Sequence, residues 1–453
     1  MSKYQSYTAY ASLWNKSFPS HWSVLPMYAL AKEKSICGCV DLPLLSVYLD
    51  VGVIPFSAKA EKRTNVTSKD LSKYQRVDFG DFVLNNQQAW RGSVGISFDT
   101  GIVSPAYIVL SMNDMLNSRY ANYLLRSRIM VDQYLINSKS VGSIQRNIYW
   151  LALKRTSVPV PPREEQDQIV RFLDWKVSSI NKLIRIRKRQ IEELEAIKRS
   201  SIGYLVMGQA QSIPQRDTEV NWVKTIPAHW NEKTLIQVAE EQQIKNAGMV
   251  EDNLLSLSYG KIINKDINTT DGLLPSSFEG YQVVHDGNII LRLTDLQNDH
   301  KSLRTGLVTQ TGIITSAYTC LKVRHNILPE YLQLQLHVAD LCKVFYGMGG
   351  GVRQSIGFTE IRKLVIAIPP VEEQQYILDR VHGIEKPINC AIQNIRDIIA
   401  GLEDLKTRLI SDTVTGKIDV RGIEIPEYEF VDEDNDNVDE NLEQGADEPP
   451  EEE

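Results

Sequence analysis

Cysteine is scarce. Five residues, at 37, 39, 320, 342 and 390, are too few and too scattered in a chain of 453 to form a disulfide framework. Cys37-Gly38-Cys39 has no second pair at zinc-finger spacing. A reduced, cytoplasmic compartment is the expectation. Long apolar runs are missing too: no stretch of about 18 uncharged apolar residues is present, which argues against a membrane span. Residues 1–18 lack the apolar core of a secretion signal. Enzyme signatures are equally absent. The chain has no GxxxxGK[ST] phosphate loop, no HExxH, no GxSxG and no CxxC.

What remains is ordinary globular composition, 42% apolar and 24% charged, with enough apolar surface for more than one core. Length alone points to about three units. The net charge of −7 hides an uneven distribution. Fifteen acidic residues and no Lys or Arg lie between Glu424 and Glu453, leaving 42 acidic against 50 basic residues in the body. A mildly basic body is compatible with nucleic acid. Like charges crowded into one block repel, and few apolar residues accompany them, so 421–453 is expected to be an acidic disordered tail.

The chain repeats itself at an offset near 208. Lys16-Ser17-Phe18-Pro19-Ser20-His21-Trp22 matches Lys224-Thr225-Ile226-Pro227-Ala228-His229-Trp230. Tyr74-Gln75 with Val77, Gly80 and Asp81 matches Tyr281-Gln282 with Val284, Gly287 and Asn288 at offset 207, and Gly101-Ile102-Val103 matches Gly312-Ile313-Ile314 at 211. Pro161-Pro162 with Glu164-Glu165-Gln166 returns as Pro369-Pro370 with Glu372-Glu373-Gln374, and Val206 and Gly208 return as Val414 and Gly416, all at 208. Five collinear blocks exclude chance, and the drifting offset means insertions in loops on a shared scaffold.

Each repeat has an α+β part followed by a helical part. Phe82-Val83-Leu84, Ile289-Ile290-Leu291, Tyr107–Leu110 and Tyr318–Leu321 read as strands, and 122–135 and 329–345 as short helices. Pro-Pro before Glu is a helix start, and Gly208 and Gly416 suit helix ends. Apolar residues then recur at Leu173, Val177, Ile180, Ile184, Ile191 and Leu194, with one polar break at Arg187, and at Ile388, Ile392, Ile395, Ile399 and Leu402. A mean spacing of about 3.5 marks a coiled-coil seam. Pro387 should kink or split the second helix. If the two helices pair antiparallel within one chain, the halves are related by a pseudo-twofold axis, like the backbones of duplex DNA.

Other motifs carry less. Gly347-Met348-Gly349-Gly350-Gly351 lacks the GxGxxG frame and reads as a surface turn. His21 and His229 each stand beside a Trp with no second metal ligand nearby and read as structural. Glu403-Asp404 with Lys406 faintly resembles a nuclease metal motif but falls on the helix, where a solvated face is expected.

The whole arrangement, over residues 15–420, resembles the DNA specificity subunit of type I restriction–modification systems. The features that carry the resemblance are Pro-Pro-x-x-Glu-Gln at 161–166 and 369–374, and Ile-Pro-x-x-Trp at 226–230, with Phe18 replacing Ile at 18–22. A Gly-Asp turn at 80–81 becomes Gly-Asn at 287–288. The resemblance implies target-recognition domain 1 at 1–160, a central helical spacer at 161–208, target-recognition domain 2 at 209–368 and a distal helical spacer at 369–420. It implies a non-catalytic subunit reading an asymmetric bipartite site in double-stranded DNA, one domain per half-site. Two modification (methyltransferase) subunits that methylate adenine and two restriction subunits that translocate and cleave would be its partners. S-adenosylmethionine, ATP and magnesium then belong to those partners, and no cofactor to this chain, which has no NPP[FY] motif. The acidic tail departs from the family pattern.

Candidate DNA contacts are loop cations and amides. In the first domain these are Lys59, Lys62, Arg63, Lys69, Lys73, Arg76, Arg91, Gln145 and Arg146. In the second they are Lys261, Lys265, Arg292, Arg304, Arg353 and Gln354. Gln145-Arg146-Asn147-Ile148 aligns with Arg353-Gln354-Ser355-Ile356 just before the strand leading into each helix. Two other readings stay open: a scaffold that recruits partners without reading DNA sequence, and an enzyme of unfamiliar class using Glu164 and Glu165. Duplicated heads with divergent loops suit two-part reading better than a single active site.

Overall fold

A computed structural model of the chain describes residues 3–10, 17–49, 51–58, 70–141, 145–209, 213–267, 277–296, 299, 302–324, 326–348 and 356–432. They form two compact units, one from residues up to 189 together with 395–432, the other from 190–394.

The first unit is built around a four-stranded antiparallel sheet in the order Ala31–Lys34, Tyr107–Met112, Phe82–Asn85, Val94–Ile96. Phe82, Val83 and Leu84 are all fully buried, so this strand is covered on both faces. Gly80, at φ +88°, makes the turn that feeds it. Strand pairs Leu45–Tyr48 with Gly52–Pro55 and Gln75–Val77 with Gly101–Val103 close a second cluster on Leu45, Val47, Val53, Val77 and Val103. Helices Ser118–Arg126 and Arg128–Ile136 follow, and Asn117 caps the first by accepting N–H bonds from Arg119 and Tyr120.

The second unit repeats the plan: Ala239–Glu241, Thr319–Val323, Ile289–Leu291, Thr305–Leu307 in one sheet, with Leu255–Ser258 paired to Lys261–Asn264 and Gln282–Val284 to Gly312–Ile314. Even the isolated parallel bridges correspond, Leu44 with Ile102 and Leu254 with Ile313. Helix Pro329–Leu341 buries Tyr331, Leu332, Leu336 and Val338 against the sheet.

A central helix, Arg163–Val206, and a distal helix, Val371–Val414, have 44 residues each. They pair antiparallel. In the first unit Lys406 donates to Asn181 Oδ1 at 3.4 Å, and in the second Lys198 donates to Asn389 Oδ1 at 3.1 Å, so seventeen residues forward along one helix answers seventeen back along the other. Leu173, Ile180, Ile184, Ile392 and Ile399 are buried, while Val177, Ile191, Leu194, Ile388, Ile395 and Leu402 are half-buried. Pro387 does not split the distal helix. It lies exposed, and Gly383, whose carbonyl loses its donor, is exposed as well, so water can satisfy the freed oxygen.

Residues 415–432 fold back on the central helix rather than leaving it as a free tail. Gln168 Nε2 donates to the carbonyls of Val420 and Ile423, and Ser178 bonds both Glu429 O and the Val431 N–H. Val420 and Val431 are buried and the Arg119 guanidinium lies over Phe430, so residues 421–432, expected as the start of a disordered tail, are anchored; 433–453 lie outside the described residues.

Candidate nucleic-acid interface

Each unit joins its sheet to the helices through the same residues. Glu165, buried at the start of the central helix, accepts bonds from Tyr4 Oη and from Trp22 Nε1 at 3.1 Å, and its other oxygen lies 2.7 Å from His21 Nε2. Burial and the adjoining carboxylate keep the Tyr4 phenol protonated far above its ordinary range. Gln166 holds the carbonyls of Met115 and Pro161 and accepts the Asn117 N–H, and Gln374 does the same with Asn326, Pro369 and Leu328. At the other helix ends Gly416, at φ +71°, lies under Pro19 and Trp22, while Gly208, at φ +67°, lies under Pro227 and Trp230. A Cβ on Gly416 would fall 2.4 Å from Pro19, and one on Gly208 2.5 Å from Pro227, so both positions require glycine. The histidines and the Glu-Glu-Gln boxes are therefore joints. Glu165 is enclosed by its partners, which leaves it unavailable as a catalytic base, and Glu164 is exposed. Among the described residues no group of three or more His, Cys, Asp or Glu could hold a metal, and no helix is long and apolar enough to cross a membrane.

Away from the joint, each unit presents a corner where the loop between two sheet strands meets the segment preceding the last strand. In the first unit that loop runs from Asn85 to Ser93 and holds a 3-10 turn, Ala89–Arg91, closed by Gly92 at φ +111°. Trp90 Nε1 donates to Gln87 O at 2.9 Å, and the exposed Arg91 guanidinium lies 5.6 Å from the Trp90 ring centre. The hairpin of Ser138–Val141 with Gln145–Ile148 packs beside this turn, tied by the Ile148 N–H to Asn86 O at 3.0 Å. Arg146 donates Nε to Ser138 Oγ at 2.9 Å and Nη2 to Ser138 O at 3.4 Å. In the second unit Arg292 and Leu293 at the start of the loop hold the same place, tied by the Ile356 N–H to Leu293 O at 3.0 Å.

Three sequence candidates, Arg91, Arg146 and Arg292, thus stand at equivalent corners, and Gln145 pairs through its backbone with Val141 in the hairpin. Others stand apart. Arg76 is paired with Asp78 at 2.9 Å, a bond that raises its pKa still further. Lys73 is exposed beside strand Gln75–Val77, and Lys261 and Lys265 lie exposed on the Leu255–Asn264 hairpin and just after it. Lys59, Lys62, Arg63, Lys69, Arg353 and Gln354 lie outside the described residues, as do Gly349, Gly350 and Gly351. Arg304 is placed inside the protein with no exposed surface: its donors are taken by loop carbonyls, which removes it from direct contact with any ligand in this conformation. Composition could not reveal this, because a buried and a surface arginine look alike in a basic segment. Trp90, missed among the candidates, is the residue that supports Arg91, and the Trp90-Arg91 pair was its only sequence signal.

Comparison with known proteins adds the lineage. Residues 39–196 and 307–399 match the type I restriction modification DNA specificity domain. A putative type I restriction enzyme MjaX specificity subunit of Methanocaldococcus jannaschii is 24% identical over 380 residues, 79% of this chain and 82% of that protein. The type I restriction enzyme MjaVIII specificity subunit of the same organism is 22% identical over 435 residues, covering 89% and 95%. Among solved structures, a chain from work on the complex assembly and conformational transition of a type I R-M system shares the fold, with a TM-score of 0.61 and 15% identity, over 88% of this chain and 99% of that one.

Proposed function

The chain belongs to the family of type I restriction–modification DNA specificity domains, and on that premise we propose that it reads an asymmetric, bipartite DNA site, one half with residues 1–160 and the other with 209–368. It is a non-catalytic DNA-binding specificity subunit, and in this reading it positions adenine-methylating modification subunits, and restriction subunits where the system has them, along its helix pair. The observation that carries the reading is the duplicated corner: one loop-to-segment tie, Ile148 to Asn86 and Ile356 to Leu293, holds loops of unlike sequence. A common frame with divergent loops is what two independent readers need. A 44-residue helix is about 66 Å long at 1.5 Å per residue. That is ample for half-sites separated by roughly 34–36 Å, one turn of duplex.

Base-edge contacts would come from Arg91, Arg146 and Gln145 in the first domain and Arg292, Arg353 and Gln354 in the second. Lys59, Lys62, Arg63, Lys69, Lys73, Arg76, Lys261 and Lys265 would supply phosphate contacts. The test is to co-express the chain with its modification subunits and sequence the methylated DNA. Two short specified blocks around an unspecified gap are expected. Replacing residues 1–160 by those of another such subunit should change one block and leave the other intact. A single continuous motif, no motif, or a change in both blocks overturns the reading and favours a scaffold that does not read sequence.

A further inference from the structure

The second unit's corner loop is longer than the first's, and the repeat offset locates the difference. The offset is 207 before the loop and 211 after it, so four extra residues fall between Arg292 and Arg304. The first unit closes its shorter loop on itself, through the Ala89–Arg91 turn and the Trp90 bond to Gln87. The longer loop is held from beneath. Arg304 Nη1 donates to Arg292 O at 3.2 Å and Thr294 O at 2.8 Å, and Nη2 donates to Asp295 O at 3.4 Å and to Asp299 O. Arg304 Nε donates to Tyr346 Oη at 3.0 Å, whose own hydroxyl donates to Asp299 O at 3.1 Å. The Arg304 backbone N–H is fixed in turn by Asp340 Oδ2 at 2.8 Å. Asp295 is carried at φ +54°, a left-handed conformation that is costly for a residue other than glycine.

A buried guanidinium loses its hydration, and an apolar side chain of similar size would fill the space without that cost. What the guanidinium does and an apolar group cannot is donate to four carbonyls of a single loop at once. In the first unit the residue with the same backbone role, accepting the N–H from the loop's first residue, is Ser93, whose hydroxyl donates to Val47 O on another strand. The clamp is therefore particular to the second unit and to its longer loop.

We propose that Arg304 is the positioning residue of the second recognition domain: with Tyr346 it holds residues 292–295 and 299 in place so that Arg292 meets its half-site. This rests on the reading of the corners as DNA-reading surfaces. The experiment sequences DNA methylated by the complete complex carrying Arg304→Met, Arg304→Lys or Tyr346→Phe, alongside Arg91→Ala and Arg292→Ala. Arg304→Met should lower discrimination at one or more positions of one half-site by about ten-fold, the order of one lost base contact. The half-site it relaxes should be the one that Arg292→Ala alters, and the one Arg91→Ala alters should stay unchanged. Tyr346→Phe should act in the same place, more weakly. General destabilisation would instead reduce methylation at both halves together. An unchanged sequence in a folded Arg304→Met complex, or relaxation of both halves, overturns the proposal. If Arg304→Met does not fold, Tyr346→Phe and Arg304→Lys decide it by the same criterion. If the Arg91 and Arg292 variants leave both halves intact, the corner reading itself fails. If those two act and Arg304 and Tyr346 do not, only the clamp fails.

Discussion

Trp22 donates its indole N–H to Glu165 at 3.1 Å, a bond between residues 143 positions apart that fastens the first sheet domain to the start of the central helix. The matching pair in the second unit, Trp230 and Glu373, is not bonded: among the described residues Trp230 Nε1 and Glu373 Oε1 have no hydrogen-bond partner, and His229 reaches Glu373 at 2.7 Å. Among the described residues Glu165 therefore holds three side chains where Glu373 holds one.

Removing Glu165 should be correspondingly severe. Glu165→Ala leaves the buried Tyr4 hydroxyl and Trp22 indole without their acceptor, and a buried unmade bond costs about 1–3 kcal/mol. We expect a loss of about 3 kcal/mol by urea unfolding, a clearly smaller one for Glu373→Ala, and almost none for the exposed Glu164→Ala. Equal losses at Glu165 and Glu373 would deny the joint its asymmetry.

The helix seam makes a second prediction. Ile184 and Ile392 are buried, and a carboxylate at either place would have to give up its hydration. Ile184→Glu or Ile392→Glu should cost about 3 kcal/mol or more and impair assembly with modification subunits. Size-exclusion chromatography of the co-expressed complex checks this, and normal assembly at unchanged stability would contradict the seam.

Much of this architecture is legible in the sequence because duplication turns weak signals into paired ones. The helix start at Pro161-Pro162 and the seam at Leu173, Ile180 and Ile184 depend on local spacing, which residue order records directly. The four-residue step in the offset marked an insertion before any loop was seen. What was not legible depends on partners distant in the chain. Glu165 looks like any helix-start acid until Tyr4 and Trp22 are placed beside it. Arg304 looks like a surface cation until four carbonyls surround it, and residues 421–432 look like tail until Val431 finds the central helix. Pro387 does not end the helix for the opposite reason: its local rule holds, but an exposed helix face tolerates the lost bond.

The arginine corner can be probed by salt. Arg146 is tied to Ser138 by two hydrogen bonds, and on the proposed reading a guanine held by its guanidinium through two further bonds would be worth roughly 1–3 kcal/mol of discrimination. Arg146→Ala and Arg353→Ala should relax one position in one half-site each, while a purely phosphate-bound arginine would weaken all sequences alike and reduce the salt slope by about one. Binding to matched and singly substituted duplexes at several salt concentrations separates the two, and no change in either quantity would leave these arginines as parts of the joint.

Protonation should loosen the second unit from within. His337, on helix Pro329–Leu341, has Nδ1 3.5 Å from Thr305 Oγ1. Burial pushes its imidazole below the ordinary value of 6.5, and the nearby Lys198 charge pushes it the same way. The unfolded chain then binds more protons than the folded one between the two values, so stability rises with pH across that window. It is fully present above about pH 6.5 and lost as pH falls through the lower folded-state value. Replacing the group by one that does not titrate, His337→Gln, should flatten the stability curve below pH 6.5 while leaving the acid loss due to carboxylates at still lower pH. Lys198→Met should relieve part of the depression and so make this loss smaller and complete at a higher pH, though it also removes the bond to Asn389 and lowers stability throughout. Urea unfolding between pH 5 and 8 measures both. A His337→Gln curve parallel to that of the unaltered chain would mean that the imidazole carries no proton difference between the folded and unfolded states.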